Sequence, residues 1–424
     1  MRSSAAGALL THVAARMKPV VQPGERVLVG LSGGIDSVVL LDILARLETR
    51  LGVKLWALHV DHGLNPKSRE WARFCRALCR SRGVPLRVVR VKLERANSVE
   101  RAAREARYAA LRATRAQLIA LAHNQDDQAE TVLLQLLRGA GVKGLSAMPF
   151  ARREAGAAGA RSPSIVRPLL DVPRSEIESY AKRRKLEWVE DDSNSDARYT
   201  RNWVRHEVLP GIEARVPAYR EVLSRTARNL ADAAALLDDL AGLDAARALR
   251  GDALSVDELC ALTPARGRNL LRFLMAERGL RMPYADRLDE ALRQATRARR
   301  DARLSVNLGE CELRRHRDLI YLVPARAAGP AGDAVTWHGE REIALPSAGG
   351  VLTMVRGHGK GISAARLDGA PVTIRTRQGG ERLQTQAKGP RRTVKNLLQE
   401  AGIPPWQRER LPFIYCGEAL ACVP

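Results

Sequence analysis

Over the first 140 positions, short apolar runs alternate with stretches in which apolar residues return every three or four positions. Residues 27–31 form an apolar strand. It leads through Ser32-Gly33-Gly34 into residues 38–47, where Leu40, Leu41, Leu44 and Leu47 keep helical spacing. Residues 55–60 and 86–91 are the next strands, and residues 117–122 a fourth. Asn65-Pro66 reads as a helix N-cap with proline in the first turn, and Gly83 as the stop of that helix. Asn97 with Glu100 three positions on resembles a capping box, with Asn in place of Ser or Thr. A further helix covers 129–137. Strands alternating with helices predict a doubly wound α/β fold, a parallel sheet covered on both faces. In such sheets ligands sit beyond the carboxyl ends of the strands.

The pattern changes further along. Residues 151–163 (ARREAGAAGARSP) read as a loop or insertion. From 216 to 300 the periodicity is helical, with Leu236, Leu237 and Leu240, then Leu270, Leu271 and Leu274. Residues 303–308 and 313–323 are expected to pair as a hairpin, and 324–334 read as a linker. Strand and turn signals return beyond it, with Gly349-Gly350 and Gly379-Gly380. The expected organisation is a catalytic α/β domain over 1–215, a mainly helical domain over 216–325 and a small α+β domain over 335–424. At the start, Leu9, Leu10, Val13 and Met17 fit one helix face. Arg2, Arg16 and Lys18, with no acid before Glu25, also loosely resemble a transit peptide.

Charge narrows the partner. The 424 residues hold 70 Lys+Arg against 47 Asp+Glu, a formal net charge of +23. Such an excess costs the fold self-repulsion and favours a polyanionic partner; a merely solvated basic surface is the alternative. None of the six cysteines forms a CxxC pair, so neither a disulfide framework nor a zinc site is suggested, and a reducing cytoplasm fits. No apolar run is long enough to span a membrane.

The sharpest local signal is SGGIDS, residues 32–37, between strand and helix. Ser32, Gly33, Gly34, Ile35, Asp36 and Ser37 offer close backbone approach, a helix N-terminus and two hydroxyls, the parts of an anion cradle. No lysine follows as in a Walker loop. Asp36 would repel phosphate unless a magnesium ion lay between them. HVDHGLNPKS (59–68) and AHNQDDQAET (122–131) end the second and fourth strands, so three polar clusters share one rim. His59 and His62 are each compatible with capping or core packing. His123 and Asp127 are four apart on a helix start, and Asp36 with Asp127 is the preferred magnesium pair. Asp126 and Asp127 as plain helix caps are the alternative. Arg104 and Arg107 in AAREARY share a helix face. They read either as a solvated face or as stabilisers of charge on an α-phosphate.

SGGIDS resembles the PP-loop of the N-type ATP pyrophosphatases, which cleave ATP to AMP and pyrophosphate while adenylating a carbonyl oxygen. The ordered set SGGIDS, HVDHGL, AREARY, AHNQDDQAET and LRGAGVKGL is similar to the tRNA(Ile)-lysidine synthetase family. So are residues 167–210, with DSN and RNWVR, and the C-terminal blocks RQGGERL and VKNLLQEAGIPPWQRERLP. The resemblance covers nearly the whole chain; 151–163 carries none of its motifs.

What the resemblance implies is a cytoplasmic enzyme using ATP and Mg2+. It would join L-lysine to the wobble cytidine of the isoleucine tRNA with a CAU anticodon, so that the tRNA reads AUA and is charged with isoleucine. A homodimer is kept open. Ring oxygen leaves badly and AMP leaves well, so adenylation precedes attack by the lysine amine. With a pKa of ~10.4 that amine must lose a proton. Glu130 is a weak candidate to take it, helix-surface use being the other reading. Asp191, Asp192, Asn194, Arg201, Asn202 and Arg205 mark where an amino-acid pocket is sought, with RNA contact or helix capping equally compatible. Arg375, Arg377, Lys388, Arg391, Arg392, Lys395 and Arg408 are phosphate-contact candidates, which predicts salt-sensitive RNA binding. Trp406 reads as a packed turn rather than a base-stacking platform. A PP-loop thiolase would need cysteines in the rim motifs, and a non-catalytic RNA binder would have no use for Asp36 and the serines.

Overall fold

In the computed structural model, the apolar run after Glu25 becomes β1 (Arg26–Gly30), a central strand of a six-stranded sheet. The structure describes residues 5–63, 65–91, 99–153, 163–190, 200–300, 302, 304–325, 334–345, 350–358, 361–363, 367, 370–385 and 389–424. With β2 (Lys54–Asp61), β3 (Leu86–Arg90), β4 (Leu118–Ala120), β5 (Ala151–Arg153) and β6 (Ser164–Val166), the strand order is β3-β2-β1-β4-β6-β5. Every pairing is parallel except that of β5 with β6. The order reverses between β1 and β4, which opens a crevice at their carboxyl ends.

Alternation along β1 sorts its side chains between two cores. Val27 and Val29 face one core, which holds α1 (Ala5–Met17), α2 (Ile35–Leu51), α3 (Ser68–Ser81) and, further on, α7 (Arg174–Arg183). Leu28 faces the other core, with Tyr108 and Leu111 of α4 (Val99–Arg112). Covering both faces explains the unbroken apolar strands. Leu9, Val13 and Met17 are buried in the first core, so α1 is an ordinary packed helix.

Several boundaries differ from expectation. Helix α3 starts at Ser68; Asn65 Oδ1 accepts the Lys67 N–H at 2.9 Å and Pro66 stays outside the helix, while Gly83 takes the expected stop with φ +66°. Helix α5 (Gln125–Leu137) begins four residues early because Asn124 caps it. After α6 (Val142–Leu145), part of the expected loop at 151–163 is the edge strand β5; residues 154–162 lie outside the description, as does the Asn97 capping box. Beyond α7 come α8 (Thr200–Trp203), a π-helical turn over Val204–Val208, α9 (Leu209–Arg215) and α10 (Tyr219–Ala248).

The chain resolves into two compact units, Met1–Asp239 and Leu240–Pro424. In the second, Leu270, Leu271 and Leu274 are core, as their spacing predicts, whereas Leu236 and Leu237 of the first unit are exposed. Residues 313–323 do not form one strand. Cys311–His316 turns at Arg317, whose φ is +58°, and pairs with Leu319–Pro324, with Ser305–Asn307 on its other side. Arg315 is buried among carbonyls, donating to those of Ala295, Ala298 and Arg317. A four-stranded antiparallel sheet built from Val335–Trp337, Val372–Arg375, Phe413–Cys416 and Ala419–Cys422 ends the chain.

Candidate active site

Helix α2 starts where β1 stops, and glycine makes the junction possible. Gly33 has φ +96°, and a Cβ there would lie 2.8 Å from Val189 Cγ2. Gly34 is the N-cap of α2 and provides no side chain to cap it. The first-turn N–H groups of Ile35, Asp36 and Ser37 therefore have no intrahelical acceptor, the usual condition for holding an anion. The loop is braced by its own hydroxyls. Ser37 Oγ donates to Gly34 O at 2.9 Å and accepts from Gly33 N at 3.1 Å, and Ser32 Oγ lies 3.0 Å from it. Ile35 is buried, so its contribution to a ligand is its backbone.

A cavity of about 820 Å³ opens over this loop. Ser32 lines it from the loop, Asp36 and Ser37 from α2, His59 to Gly63 from the end of β2, and His123 from the end of β4. Arg107, Arg201 and Arg205 complete its polar wall, and Trp71 and Pro66 its apolar one. The three rim clusters thus converge on one space. Arg104 and Asp127 do not line it. Arg104 lies 5.1 Å from the Tyr108 ring centre, and Asp127 stands behind, bonded to the arginines.

The histidines divide by role. His59 is buried and donates from Nδ1 to Leu31 O at 2.9 Å, which fixes the strand exit; packing explains it. His62 and His123 each keep a buried Nδ1 with no protein partner among the described residues, on the cavity wall. Burial holds the His123 ring well below the ordinary imidazole range, so it is neutral and carries both a donor and an acceptor nitrogen.

Behind the wall lies a lattice of four charges. Arg201 donates to Glu130 Oε2 at 2.7 Å and to Asp127 Oδ1 at 2.9 Å. Arg205 donates to Glu130 Oε1 at 2.5 Å and to Asp127 Oδ1 at 3.2 Å. Glu130 is 1% exposed with both oxygens taken, so it neither sits on a helix surface nor stands free to accept a lysine proton. Burial alone would raise the Asp127 carboxyl, but Arg201, His123 and Arg205 bring it below its ordinary value. Asp36 goes the other way: burial, then the charge of Asp127, raises its carboxyl.

Asn124 was not singled out by sequence reasoning. It caps α5 reciprocally with Asp127 and donates to Asp36. An Asn ahead of an acidic first turn was a legible N-cap signal; its reach to Asp36 was not. Asp126 accepts from Arg174 N at 3.0 Å and Arg220 Nε at 2.5 Å. A second cavity of about 310 Å³ holds Asp126, Glu130, Arg174, Arg205, His206 and Arg220. Of the residues expected to mark an amino-acid pocket, Arg201, Asn202 and Arg205 line the large cavity; Asp191, Asp192 and Asn194 lie outside the described residues.

In the second unit, Arg408 is buried and donates to Ile403 O at 2.5 Å, a structural role rather than a surface one. Arg391 and Lys395 are exposed, and Arg392 is paired with Glu400. Arg375 lies over the Tyr415 ring and Arg377 pairs with Glu381 at 3.7 Å; Lys388 is outside the description. Trp406 packs edge-on to Tyr321 at 5.5 Å between ring centres, as a packed turn requires.

Residues 9–212 match a family model described as a PP-loop domain, 254–321 a TilS substrate binding domain and 372–424 a TilS substrate C-terminal domain. The tRNA(Ile)-lysidine synthase of Nitrosomonas europaea is 46% identical over 410 residues, 96% of this chain and 89% of that protein. Those of Chromobacterium violaceum and Coxiella burnetii are 44% and 40% identical, each across 93% of this chain and 90% and 87% of theirs. With identity at this level across almost the full length, and all three family models in order, the chain belongs to the tRNA(Ile)-lysidine synthase family.

Proposed function

We propose that this chain ligates L-lysine to the wobble cytidine of the isoleucine tRNA bearing a CAU anticodon. ATP is cleaved to AMP and pyrophosphate, and the modified tRNA reads AUA and is charged with isoleucine. The observation that carries the chemistry is the convergence of the SGGIDS loop, His123 and Arg107 on one cavity at the β1/β4 switch point. The orphan amides of α2, with Ser32 and Ser37, hold the pyrophosphate. Arg107 has no carboxylate partner among the described residues and faces the growing negative charge on the α-phosphate. Arg104 acts through Tyr108, beside which both guanidinium groups lie. His123 offers its unpartnered nitrogen to the bound nucleotide or base.

Magnesium fits one of the two expected acids. Of the expected pair only Asp36 is placed for it: Asp36 lines the cavity and its Oδ2 has no donor among the described residues, whereas Asp127 stands off the cavity with Oδ1 accepting from Arg201 and Arg205 and Oδ2 from the Asn124 N–H. No group of three or more His, Cys, Asp or Glu among them could hold a metal ion, so phosphate and water oxygens would complete the coordination. Bound there, the ion would offset charge on departing pyrophosphate. The smaller cavity, lined by Asp126, Glu130, Arg174, Arg205 and Arg220, is the seat we assign to lysine. A thiolase reading loses ground: Cys75 and Cys79 are buried, burial pushes their thiols up to about 12 and about 11, and no cysteine lines the large cavity.

A cytoplasmic setting completes the reading; no helix among the described residues is long and apolar enough to cross a membrane. The test is product formation with ATP, the CAU transcript and one amino acid at a time. Lysine alone should give a stable tRNA adduct with pyrophosphate and AMP in equal amounts. Equal adduct yields from arginine or ornithine would refute the assignment of lysine, and no ATP cleavage with any of them would refute the enzyme.

A further inference from the structure

The Gly33–Gly34 peptide is the one link of the SGGIDS loop with glycine on both sides, and so the one that side chains do not orient. Its N–H and C=O point in opposite directions, because the peptide bond is planar and trans. The Gly34 N–H donates to Ser32 Oγ at 3.3 Å, toward the cavity that Ser32 lines. The Gly33 carbonyl faces away and accepts the Val189 N–H at 3.0 Å. Rotated by half a turn, the same peptide would present a carbonyl oxygen to any anion over the loop. Glycine takes either sign of φ, so neither Gly33 nor Gly34 resists that rotation.

Val189 resists it from outside the loop, on a segment that is itself held. Helix α7 is fastened to α2 by Tyr180, whose hydroxyl donates to the buried Asp42 Oδ2 at 2.8 Å. After α7 the chain turns at Lys185, with φ +50°. Leu186 is then buried in the core that α2 shares, and Trp188 packs against it. Val189 follows, so close to the loop that a Cβ on Gly33 would stand 2.8 Å from its Cγ2. The donor that meets the Gly33 carbonyl is thus carried on packed chain.

We propose that Val189 is a positioning residue, whose backbone N–H sets the Gly33–Gly34 peptide with its amide toward the pyrophosphate. The inference rests on the pyrophosphate-cradle part of the proposed function. One net hydrogen bond corresponds to a factor of about three to ten in an equilibrium. The cradle loses that factor of affinity when the bond is absent and the peptide is free to turn.

The test replaces Val189 in the full chain by its α-hydroxy acid, which puts an ester oxygen where the N–H was and keeps the side chain. Val189→Ala is the complement: it keeps the N–H and loses the side-chain contact with Gly33. Binding of inorganic pyrophosphate with Mg2+ is measured by calorimetry, beside thermal unfolding and KM for tRNA. The expected result is pyrophosphate affinity about three- to tenfold weaker for the ester, parent-like affinity for Val189→Ala, and KM for tRNA unchanged in both. Parent-like affinity in the folded ester overturns the proposal. So does equal weakening in Val189→Ala, which would assign the effect to packing, and so does an ester that does not fold, which would make the bond purely architectural. Glycine amides labelled with nitrogen-15 separate the two levels. In the parent, the Gly34 resonance, identified by its loss in Gly34→Ala, should move when pyrophosphate is added. If it stays in place, the cradle reading is wrong; if it moves while the ester binds like the parent, the positioning role alone is lost.

Discussion

Two clusters of arginine flank the large cavity and differ in how their charge is met. Arg201 and Arg205 donate five hydrogen bonds to Asp127 and Glu130, and the Asn124 N–H takes the remaining Asp127 oxygen. Arg104, Arg107 and Arg167 gather around Tyr108 and His123 with no carboxylate partner among the described residues. Burial, along with neighbouring arginines, lowers both Arg107 and Arg167 from the ordinary guanidinium value. A guanidinium does not give up its proton, so the shift measures the cost of holding unmatched charge. The first cluster is complete as built. The second is completed by an anion, and Arg107 reaches the cavity where one would sit.

The contrast is broken most severely by Glu130→Ala. Two half-buried guanidinium groups would lose the fully buried acceptor they share, and removing one partner of a buried pair costs up to about 3–5 kcal/mol. Denaturant unfolding should show that loss whether or not nucleotide is present. A variant as stable as the parent would mean that solvent reaches the lattice and that its charges are not buried in any energetic sense.

Arg107→Met tests the other cluster and should invert the result. Removing unmatched charge should leave stability unchanged or raise it, while the rate of pyrophosphate release falls by about 10²–10³-fold, the loss typical of one group that stabilises transition-state charge. Parallel losses of stability and rate would place Arg107 with the architectural arginines.

The two clusters were also unequally legible in sequence. The SGGIDS loop declares itself, because apolar strand, paired glycine and helix are all local, and the alternation that buries Val27 and Val29 on one face and Leu28 on the other is carried by the strand itself. Glu130 was not legible. Its position on α5 is consistent with a surface, and its burial is decided by Arg201 and Arg205, more than seventy positions later. Arg167 looked like one basic residue among seventy; only folding sets it 3% exposed against Pro149 O at 2.7 Å. The short strands β5 and β6 lacked enough residues to show a period, and pairing across the edge made them strands. The hairpin turn at Arg317 sits in the polar stretch Arg314–Asp318 with no glycine or proline to mark it, because a non-glycine residue takes the left-handed conformation there.

The smallest expected effect concerns a pair that is neither fully buried nor unmatched, and it calibrates the other two. His12 Nε2 on α1 lies 3.0 Å from Asp171 Oδ1, with Arg16 at 3.9 Å from the other oxygen. The hydrogen bond to Asp171 raises His12 above its ordinary value, against burial and Arg16, with Glu176 adding a little. Burial pushes Asp171 up, but the His12 bond and Arg16 leave it lowered. The raised histidine contributes stability that is fully present below its unfolded pKa of ~6.5 and is lost as pH rises through its higher folded value. The lowered acid contributes above its unfolded pKa of ~3.9 and loses that contribution as pH falls through its lower folded value. The pair is therefore worth most between about pH 4 and 6.5. Both groups are partly exposed, so solvent screening holds the difference between parent and His12→Gln to about 0.5–1 kcal/mol there, shrinking toward zero in alkali. Unfolding of the two proteins across that range measures it. A gap that stays constant with pH would show that His12 acts through packing, as Leu9 and Val13 of the same helix do, and not through its proton.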